Sequence, residues 1–192
     1  MPPKAKFSKE EIIDAAFEIT RREGFDALTA RSLAAELGSS PRPIFTVFNG
    51  MEEVQSEVKA AATKLYEQYE DEGMSGENAF KGSGTGYIRF AAEQPKLFQL
   101  LFMKEREGAP DLGNILSIID NYYEKILGAV QSEYGFSTET AKNIYLHMWI
   151  YSHGIASLLA TKVCAFTNED VSKMLTDVCS SIIRKYKAEG RK

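Results

Sequence analysis

Residues 29–48, "TARSLAAELGSSPRPIFTVF", decide the fold because they hold two short helical patterns with a glycine between them. In the first pattern Thr29 is placed to cap a helix and Gly38 to end it. The second pattern contains Pro41 and Pro43, with one residue between them. Two short helices joined by about three residues have the spacing of a helix-turn-helix unit.

The two prolines are compatible with a helix only if it begins at Pro41. With Ser40 as N-cap, Pro41 and Pro43 take the first and third helical positions, where a backbone N–H has no helical acceptor. In such a helix Arg42 would be strained, because a proline sterically disfavours the helical conformation of the residue before it. We therefore predict a third helix over residues 41–48. Its core-facing side would carry Ile44, Phe45 and Phe48.

The rest of the chain is also predicted to be helical. Apolar residues recur at helical spacing almost throughout, and no clear run of strict alternation indicates a strand. We expect about nine helices, of which three short ones precede residue 50. The predicted fold class is all-α, with a helix-turn-helix head over residues 1–50 and a larger helical bundle over residues 51–192.

Two stretches of the bundle carry specific predictions. The glycine-rich residues 82–87, "GSGTGY", match neither a dinucleotide-binding fingerprint nor a phosphate-binding loop. We interpret them as a helix start or a mobile lid segment. Residues 115–135 have apolar residues at helical spacing and are predicted to form one helix.

The composition is that of a globular protein, with 44% hydrophobic and 26% charged residues. The formal net charge of -4 is unusual for a nucleic-acid-binding domain, although Lys4, Lys6 and Lys9 make the start of the chain basic. The two cysteines lack zinc-site spacing. With neither a signal peptide nor an apolar run of ~18 residues, we expect a cytoplasmic protein without a membrane span.

No pattern of catalytic or metal-binding residues stands out. The chain has no Ser/His/Asp order and no paired-carboxylate cluster. Its two histidines, His147 and His153, are six residues apart and do not share a helical face. We therefore predict that the protein is not an enzyme and has no catalytic residue, no metal ligand and no cofactor.

Residues 8–55 resemble the TetR family of bacterial transcriptional regulators. The resemblance rests on a first helix ending in Gly-Phe, then Thr-x-x-x-Leu-Ala, Leu-Gly, an aromatic residue three before a Phe, and an acidic start to the fourth helix. These motifs are Gly24-Phe25, Thr29, Leu33-Ala34, Leu37-Gly38, Phe45, Phe48 and residues 51–54. The resemblance implies a DNA-binding regulator whose second helix-turn-helix helix enters the major groove.

Three positions depart from the family pattern. The family usually has a Tyr whose hydroxyl meets a phosphate where this chain has Phe45. Val47 stands at a position that is often His, and Met51 at one that is often Lys. Each departure removes a phosphate contact, and such contacts supply much of the affinity for DNA.

The resemblance and the helix-turn-helix geometry together imply a set of DNA-contacting residues. Arg42 is predicted to read a guanine, and Thr46 and Val47 to touch a thymine methyl group. Lys4 and Lys6 would form a basic arm. The full set is Lys4, Lys6, Thr29, Arg31, Ser39, Ser40, Arg42, Pro43, Phe45, Thr46 and Val47. The alternative interpretation is structural: solvated side chains, plain helix caps and a solubilising tail.

The bundle is predicted to supply an effector pocket and a dimer surface. Aromatic side chains among a few polar groups inside a helical bundle are a usual small-molecule site. The pocket set is Phe90, Phe98, Phe102, Tyr122, Tyr123, Tyr145, Trp149 and His153. Two helices of each subunit would pair symmetrically. The dimer set is Leu146, Ile150, Gly154, Ser157, Val171, Leu175, Val178 and Ile182. An intramolecular core is the alternative for both sets.

The sequence thus predicts a homodimeric TetR-type repressor. It would bind a pseudo-palindromic operator in double-stranded DNA and leave it when an unknown small-molecule effector binds. The alternative is an all-helical small-molecule-binding protein with weak or lost DNA binding.

Overall fold

The computed structural model describes residues 6–105, 108 and 110–189. Over those residues the chain forms nine α-helices and two short 3₁₀ helices, with no β-strand, which confirms the all-α fold class. The α-helices are α1 Lys9–Glu23, α2 Ala30–Glu36, α3 Met51–Met74, α4 Ala79–Glu93, α5 Pro95–Phe102, α6 Ile115–Ile119, α7 Tyr123–Tyr134, α8 Thr138–Ala160 and α9 Asn168–Glu189. The 3₁₀ helices are Phe25–Ala27 and Ile44–Thr46.

The chain groups into two compact units. The head unit comprises the described part of Met1–Tyr66 together with Gln94–Lys104. The bundle unit comprises Glu67–Glu93 and the described part of Glu105–Lys192. Helix α3 therefore begins in the head unit and ends in the bundle unit. The functional division after residue 50 stays a prediction, because a spatial grouping does not test what each part does.

The head unit is built on α1, α2 and the first part of α3. A capping box starts α1, since Glu11 N–H donates to Ser8 Oγ at 3.1 Å and Ser8 N–H donates to Glu11 Oε2 at 2.7 Å. Helix α5 packs against α1. The most deeply buried apolar side chains of α1, α2, α3 and the second 3₁₀ helix are Ile12, Ala16, Ile19, Leu33, Ile44, Val54, Val58 and Ala62.

The bundle unit is centred on α8, which packs against α4, α7 and α9. Ser137 caps α8 by accepting from Thr140 N–H at 3.3 Å. Thr167 does the same for α9 by accepting from Asp170 N–H at 3.1 Å. Among the described residues, no helix has the length and apolar character that crossing a bilayer requires.

Residues 115–135 do not form the single helix that their spacing predicts. The interruption between α6 and α7 lies at Asp120, which is extended at φ −123° and ψ 109°. The Asp120 carboxylate accepts from Tyr122 N–H at 2.8 Å and from the hydroxyl of Tyr145. A side chain that binds the backbone two residues ahead competes with the helical hydrogen bonds, so the prediction was wrong here.

Residues 82–87 lie inside α4 and neither start a helix nor form a lid. A Cβ atom on Gly82 would lie 1.9 Å from the carbonyl oxygen of Gly73, and one on Gly86 would lie 2.5 Å from that of Tyr69. Glycine at these positions lets α3 and α4 approach backbone to backbone. We call Tyr69, Gly73, Gly82 and Gly86 the glycine seam. The sequence interpretation was wrong because the glycines serve a contact that is distant in the chain.

Candidate DNA-binding site

Helix α2 and the turn after it have the boundaries that the sequence predicts. Thr29 Oγ1 accepts from Ser32 N–H at 3.1 Å and thereby caps α2. Gly38 has a φ of 58°, in the left-handed region that favours glycine. Ser39 N–H donates to the oxygen of Ala34 at 2.8 Å, as in a Schellman motif. The end of α2 is therefore set by local chemistry.

The residues after this turn do not form the predicted helix that starts at Pro41 with Ser40 as its cap. Instead Ile44–Thr46 forms one turn of 3₁₀ helix, preceded by Pro43. Thr46 N–H donates to Pro43 O at 3.2 Å and Val47 N–H to Ile44 O at 3.1 Å, each over three residues, and Phe48 N–H also donates to Ile44 O at 3.0 Å over four. The prediction was therefore wrong in the type of helix and in its first residue.

The proline at position 43 explains the tighter winding. Arg42 precedes Pro43, and a proline ring disfavours the α conformation for the residue before it. A turn closed over three residues avoids a regular α turn at that point, and Ile44 N–H donates to Pro41 O at 3.1 Å. The two prolines therefore favour a short 3₁₀ recognition segment over an α-helix.

The side chains that face the core differ in part from the predicted set. Ile44 and Phe48 are buried as predicted. Phe45 is 45% exposed, so its predicted place on the core-facing side was wrong. Val47, three residues after Ile44, is half-buried.

The described candidates for DNA contact are all at least partly accessible. The exposed ones are Lys6, Thr29, Arg31, Ser40, Arg42, Phe45 and Thr46. The half-buried ones are Ser39, Pro43 and Val47. Lys4 lies outside the described residues.

Some polar groups of this surface already form hydrogen bonds within the protein, and others form no ion pair with a described residue. Lys6 Nζ donates to Ser39 Oγ at 3.0 Å, which brings the basic arm to the turn after α2. Thr46 Oγ1 donates to Pro43 O at 2.6 Å. Neither Arg31 nor Arg42 forms an ion pair with a carboxylate in the part of the chain that the structure describes.

Two other basic residues of the head unit are held in ion pairs. Lys9 Nζ lies 2.5 Å from Glu57 Oε1, and this hydrogen bond raises the pKa of the Lys9 ammonium. Arg22 Nη2 lies 3.0 Å from Glu36 Oε2, and this hydrogen bond raises the pKa of the Arg22 guanidinium. Such exposed pairs contribute little stability. They join α1 to α3 and to α2. Arg31 and Arg42 are the arginines near the recognition segment that form no ion pair with any described residue.

Sequence reasoning missed how the recognition segment is held at its far end. The backbone N–H and side-chain Nδ2 of Asn49 donate to Glu53 Oε2 at 2.9 and 3.0 Å. Asn49 therefore ties the end of the segment to the first turn of α3. An Asn four residues before an acid, at the start of a helical pattern, is the signal that could have found it.

The predicted pocket residues do not lie in one unit. Phe98 and Phe102 belong to the head unit, where their ring centroids are 5.2 Å apart and Phe102 meets Tyr66 edge-on at 5.0 Å. The six that lie in the bundle unit are Phe90, Tyr122, Tyr123, Tyr145, Trp149 and His153.

Polar side chains lie among those bundle aromatics. The hydroxyl of Tyr87 lies 2.8 Å from His153 Nδ1, and Trp149 stacks on His153 with centroids 5.1 Å apart. Burial lowers the pKa of His153 and raises that of Asp120. Within the described residues, no group of three or more His, Cys, Asp or Glu side chains is arranged to hold a metal ion.

The predicted dimer residues differ in burial. Ile150 is 49% exposed and Gly154 is exposed, while Leu146, Ser157, Val178 and Ile182 are half-buried. Val171 and Leu175 are buried within the chain itself. Neither offers a surface to a partner, so neither belongs to an exposed dimer surface. Leu158, which the prediction omitted, is 39% exposed on α8.

A capped helix, a glycine turn and a short recognition segment with an exposed arginine define a helix-turn-helix DNA-binding protein. The family model described as "Bacterial regulatory proteins, tetR family" matches residues 12–58. The model described as "Tetracyclin repressor-like, C-terminal domain" matches residues 80–181, over half of the chain. The protein therefore belongs to the TetR family of transcriptional regulators, which confirms the resemblance found in the sequence.

The chain is also similar to a regulator from Bacillus subtilis (strain 168), named as the uncharacterized HTH-type transcriptional regulator YobS. The two are 24% identical over 174 residues, which cover 88% of this chain and 87% of that protein. The match extends through both the head and the bundle units.

Proposed function

We propose that the protein is a homodimeric repressor that binds a pseudo-palindromic operator and releases it when a small molecule binds in the bundle unit. The observation that carries the proposal is the recognition segment after α2, where buried Ile44 and Phe48 hold Arg42, Phe45 and Thr46 at the surface. In a helix-turn-helix protein such a segment faces the base edges in the major groove.

Within this segment Arg42 is the residue assigned to direct readout. Its guanidinium has no acidic partner among the described residues and can meet guanine O6 and N7 together. Arg31 and Lys6 are assigned to phosphates. Thr29 and Ser39 add polar groups beside the start and the end of α2. Two copies of this surface in a dimer would contact half-sites roughly 34–36 Å apart.

An exposed stripe on α8 supports the dimer. His147, Ile150, Gly154 and Leu158 recur at three- and four-residue spacing and all are exposed. No atom lies within 4 Å of a Cβ built on Gly154, so a neighbouring helix could approach closely there. Burying the two apolar side chains against a second copy is favourable, and a symmetric pairing would apply to both subunits.

The effector is assigned to the bundle unit, among the six aromatic and histidine residues that lie there. Buried aromatics with a few polar groups are a usual setting for a small-molecule site. An effector can release DNA only if it binds the two states of the dimer with different affinities. A reporter gene under control of the operator would distinguish repression from activation. Deleting a repressor raises expression of the reporter, and deleting an activator lowers it.

The proposal is tested by operator selection from random double-stranded DNA, followed by measurement of the dissociation constant at about 150 mM salt. Arg42→Ala should relax the preference at one base pair in each half-site, at a cost of about 1–3 kcal/mol per site. Arg31→Ala should weaken binding to all sequences alike and lower the salt slope by about one. Arg184→Ala on α9 is the matched control and should bind like the wild type.

If no sequence is enriched above a salt-sensitive background at about 100–200 mM salt, the repressor proposal fails. The protein would then be a small-molecule-binding member of the family with weak or lost DNA binding. Phe45, Val47 and Met51 favour that alternative, because none can supply the phosphate contact expected at its position.

The dimer is tested separately: Ile150→Asp should shift the mass in sedimentation equilibrium from dimer to monomer, and Lys142→Asp, on another face of α8, should not.

A further inference from the structure

We propose that Phe45 reads the methyl group of a thymine in each operator half-site. The inference rests on the proposed binding of an operator by the recognition segment. It assigns sequence discrimination, not anchoring to phosphate, to an apolar side chain. The operator would then contain a T·A base pair within reach of Phe45, beside the base pair that Arg42 contacts.

The first support is the exposure of the ring. In residues 6–66, all of which the structure describes, Phe45 is the large apolar side chain that remains exposed, at 45%. Ile44 directly precedes Phe45, and Phe48 follows it by three residues. Both are buried and fix the backbone on either side of Phe45. Because this backbone is held by the core, Phe45 cannot turn inward without displacing one of these two anchors.

The second support is the small number of hydrogen-bonding groups beside the ring. The hydroxyl of Thr46 already donates to Pro43 O at 2.6 Å. Pro43 has no N–H to offer. Arg42 is therefore the strong side-chain donor among residues 41–48. An apolar surface discriminates between bases in the major groove chiefly through the thymine methyl group.

The phosphate backbone is the competing target for Phe45. A phenyl ring has no donor for a phosphate oxygen, so contact with the backbone would be packing against sugar atoms that every sequence presents. Base reading and sugar packing therefore predict different sequence dependence. Only base reading depends on whether one particular thymine carries its methyl group.

The experiment uses the full-length protein and the operator selected by the wild type. Each thymine is replaced in turn, symmetrically in both half-sites, by deoxyuridine, which lacks the methyl group and keeps the hydrogen bonds. Dissociation constants are measured for the wild type, Phe45→Ala, Phe45→Leu and Met103→Ala. Met103 is a matched control because it is an exposed apolar residue of the head unit outside the predicted contact set.

At one symmetric thymine position, deoxyuridine should weaken wild-type binding about fourfold per half-site, or roughly 15-fold when both are replaced. Phe45→Ala should bind the selected operator more weakly and no longer distinguish thymine from deoxyuridine. Phe45→Leu should retain part of the discrimination, and Met103→Ala all of it. Far-UV circular dichroism should be unchanged, since the substituted side chains are exposed.

The inference is overturned if Phe45→Ala keeps the wild-type ratio between thymine and deoxyuridine, or if no thymine position responds in the wild type. If Phe45→Ala lost affinity equally on all sequences, Phe45 would be assigned to packing against sugars, and the inference would also be overturned. Failure to select any operator would reject operator binding itself. That outcome is distinct from an operator whose thymine methyl groups do not matter.

Discussion

Residues 41–43, Pro-Arg-Pro, and residues 82–86, Gly-Ser-Gly-Thr-Gly, both contain residues that disfavour helices, yet their structures differ. The prolines stand where the pattern predicts an α-helix, and a turn and a 3₁₀ helix form there. The glycines were interpreted as a helix start or a lid, and they lie inside α4, from its fourth residue to its eighth. The difference shows that the two residue types act over different distances.

Proline acts on its own backbone and on the residue before it, so most of its effect can be inferred from the sequence. Glycine acts through the space it leaves open, and the atoms that use this space can be far along the chain. In the glycine seam those atoms are the backbone oxygens of Tyr69 and Gly73. The following substitutions test this contrast.

Gly82→Ala should have the largest effect. Its Cβ would lie 1.9 Å from Gly73 O. Because the Cβ is fixed to the backbone of α4 and the oxygen belongs to the backbone of α3, the two helices must separate. We expect a loss of about 3 kcal/mol in the free energy of unfolding, at the upper end of overpacking effects. Urea denaturation followed by the fluorescence of Trp149 measures it, since the single Trp lies in the bundle unit.

The matched control is Gly128→Ala on α7, where a Cβ meets no atom within 4 Å. Alanine is the better helix former, so this variant should be more stable by about 0.5–1 kcal/mol. If Gly82→Ala behaved like Gly128→Ala, the seam would not be a close backbone contact.

Ser83→Ala should have the next largest effect. Ser83 lies between the two seam glycines of α4, and its hydroxyl donates to Glu70 Oε2 at 2.7 Å in a buried setting. Loss of this buried hydrogen bond should lower the free energy of unfolding by about 1–3 kcal/mol. Ser132→Ala, exposed on α7, is the control, and equal stability changes for the two variants would contradict the prediction.

Gly38→Ala tests a glycine that is required for its conformation and not for space. No atom lies within 4 Å of its Cβ position, but its φ is 58°. An alanine in the left-handed region costs about 1–2 kcal/mol. Gly38→Asn should cost less, because Asn tolerates this region better. Thermal unfolding followed by circular dichroism compares the two, and a larger loss for Asn would refute the conformational explanation.

Pro43→Ala should change stability least and local winding most. The substitution removes the restriction on Arg42 and restores an N–H, while the unfolded chain gains entropy, so the net change should stay within about 1 kcal/mol. We expect the hydrogen bonds of residues 44–47 to move toward α-helical spacing. Cα chemical shifts report this winding. Pro41→Ala is the control, and an unchanged 3₁₀ pattern in Pro43→Ala would show that Pro43 does not select it.

The features predicted correctly from the sequence are mostly short in range. The caps at Ser8 and Thr29 and the left-handed Gly38 each depend on atoms within about five residues. The break at Asp120 was missed, although its contact with Tyr122 N–H is just as local. Apolar spacing in residues 115–135 indicated a continuous helix, and the contact between Asp120 and Tyr145 on α8 could not be foreseen.

The candidate DNA surface also has features that could be predicted from nearby residues and features that could not. Its position after α2 follows from the cap, the glycine turn and the paired apolar residues, all of which are visible in the sequence. The exposure of Phe45 was not predicted, because it depends on which residues elsewhere in the head unit cover that side of the segment. The engagement of Lys9 by Glu57 was also beyond sequence reasoning, since 48 residues separate the two.

The sequence by itself determined most of the helical elements and several of their caps, because hydrophobic period and capping chemistry act over a few residues, and its motifs indicated membership of the TetR family. Tertiary structure alone decided three other features. It formed the glycine seam between α3 and α4, divided the aromatic residues between two units, and buried Val171 and Leu175 inside the chain. Each of these depends on which distant atoms occupy the neighbouring space, and close packing makes that occupancy a property of the whole fold.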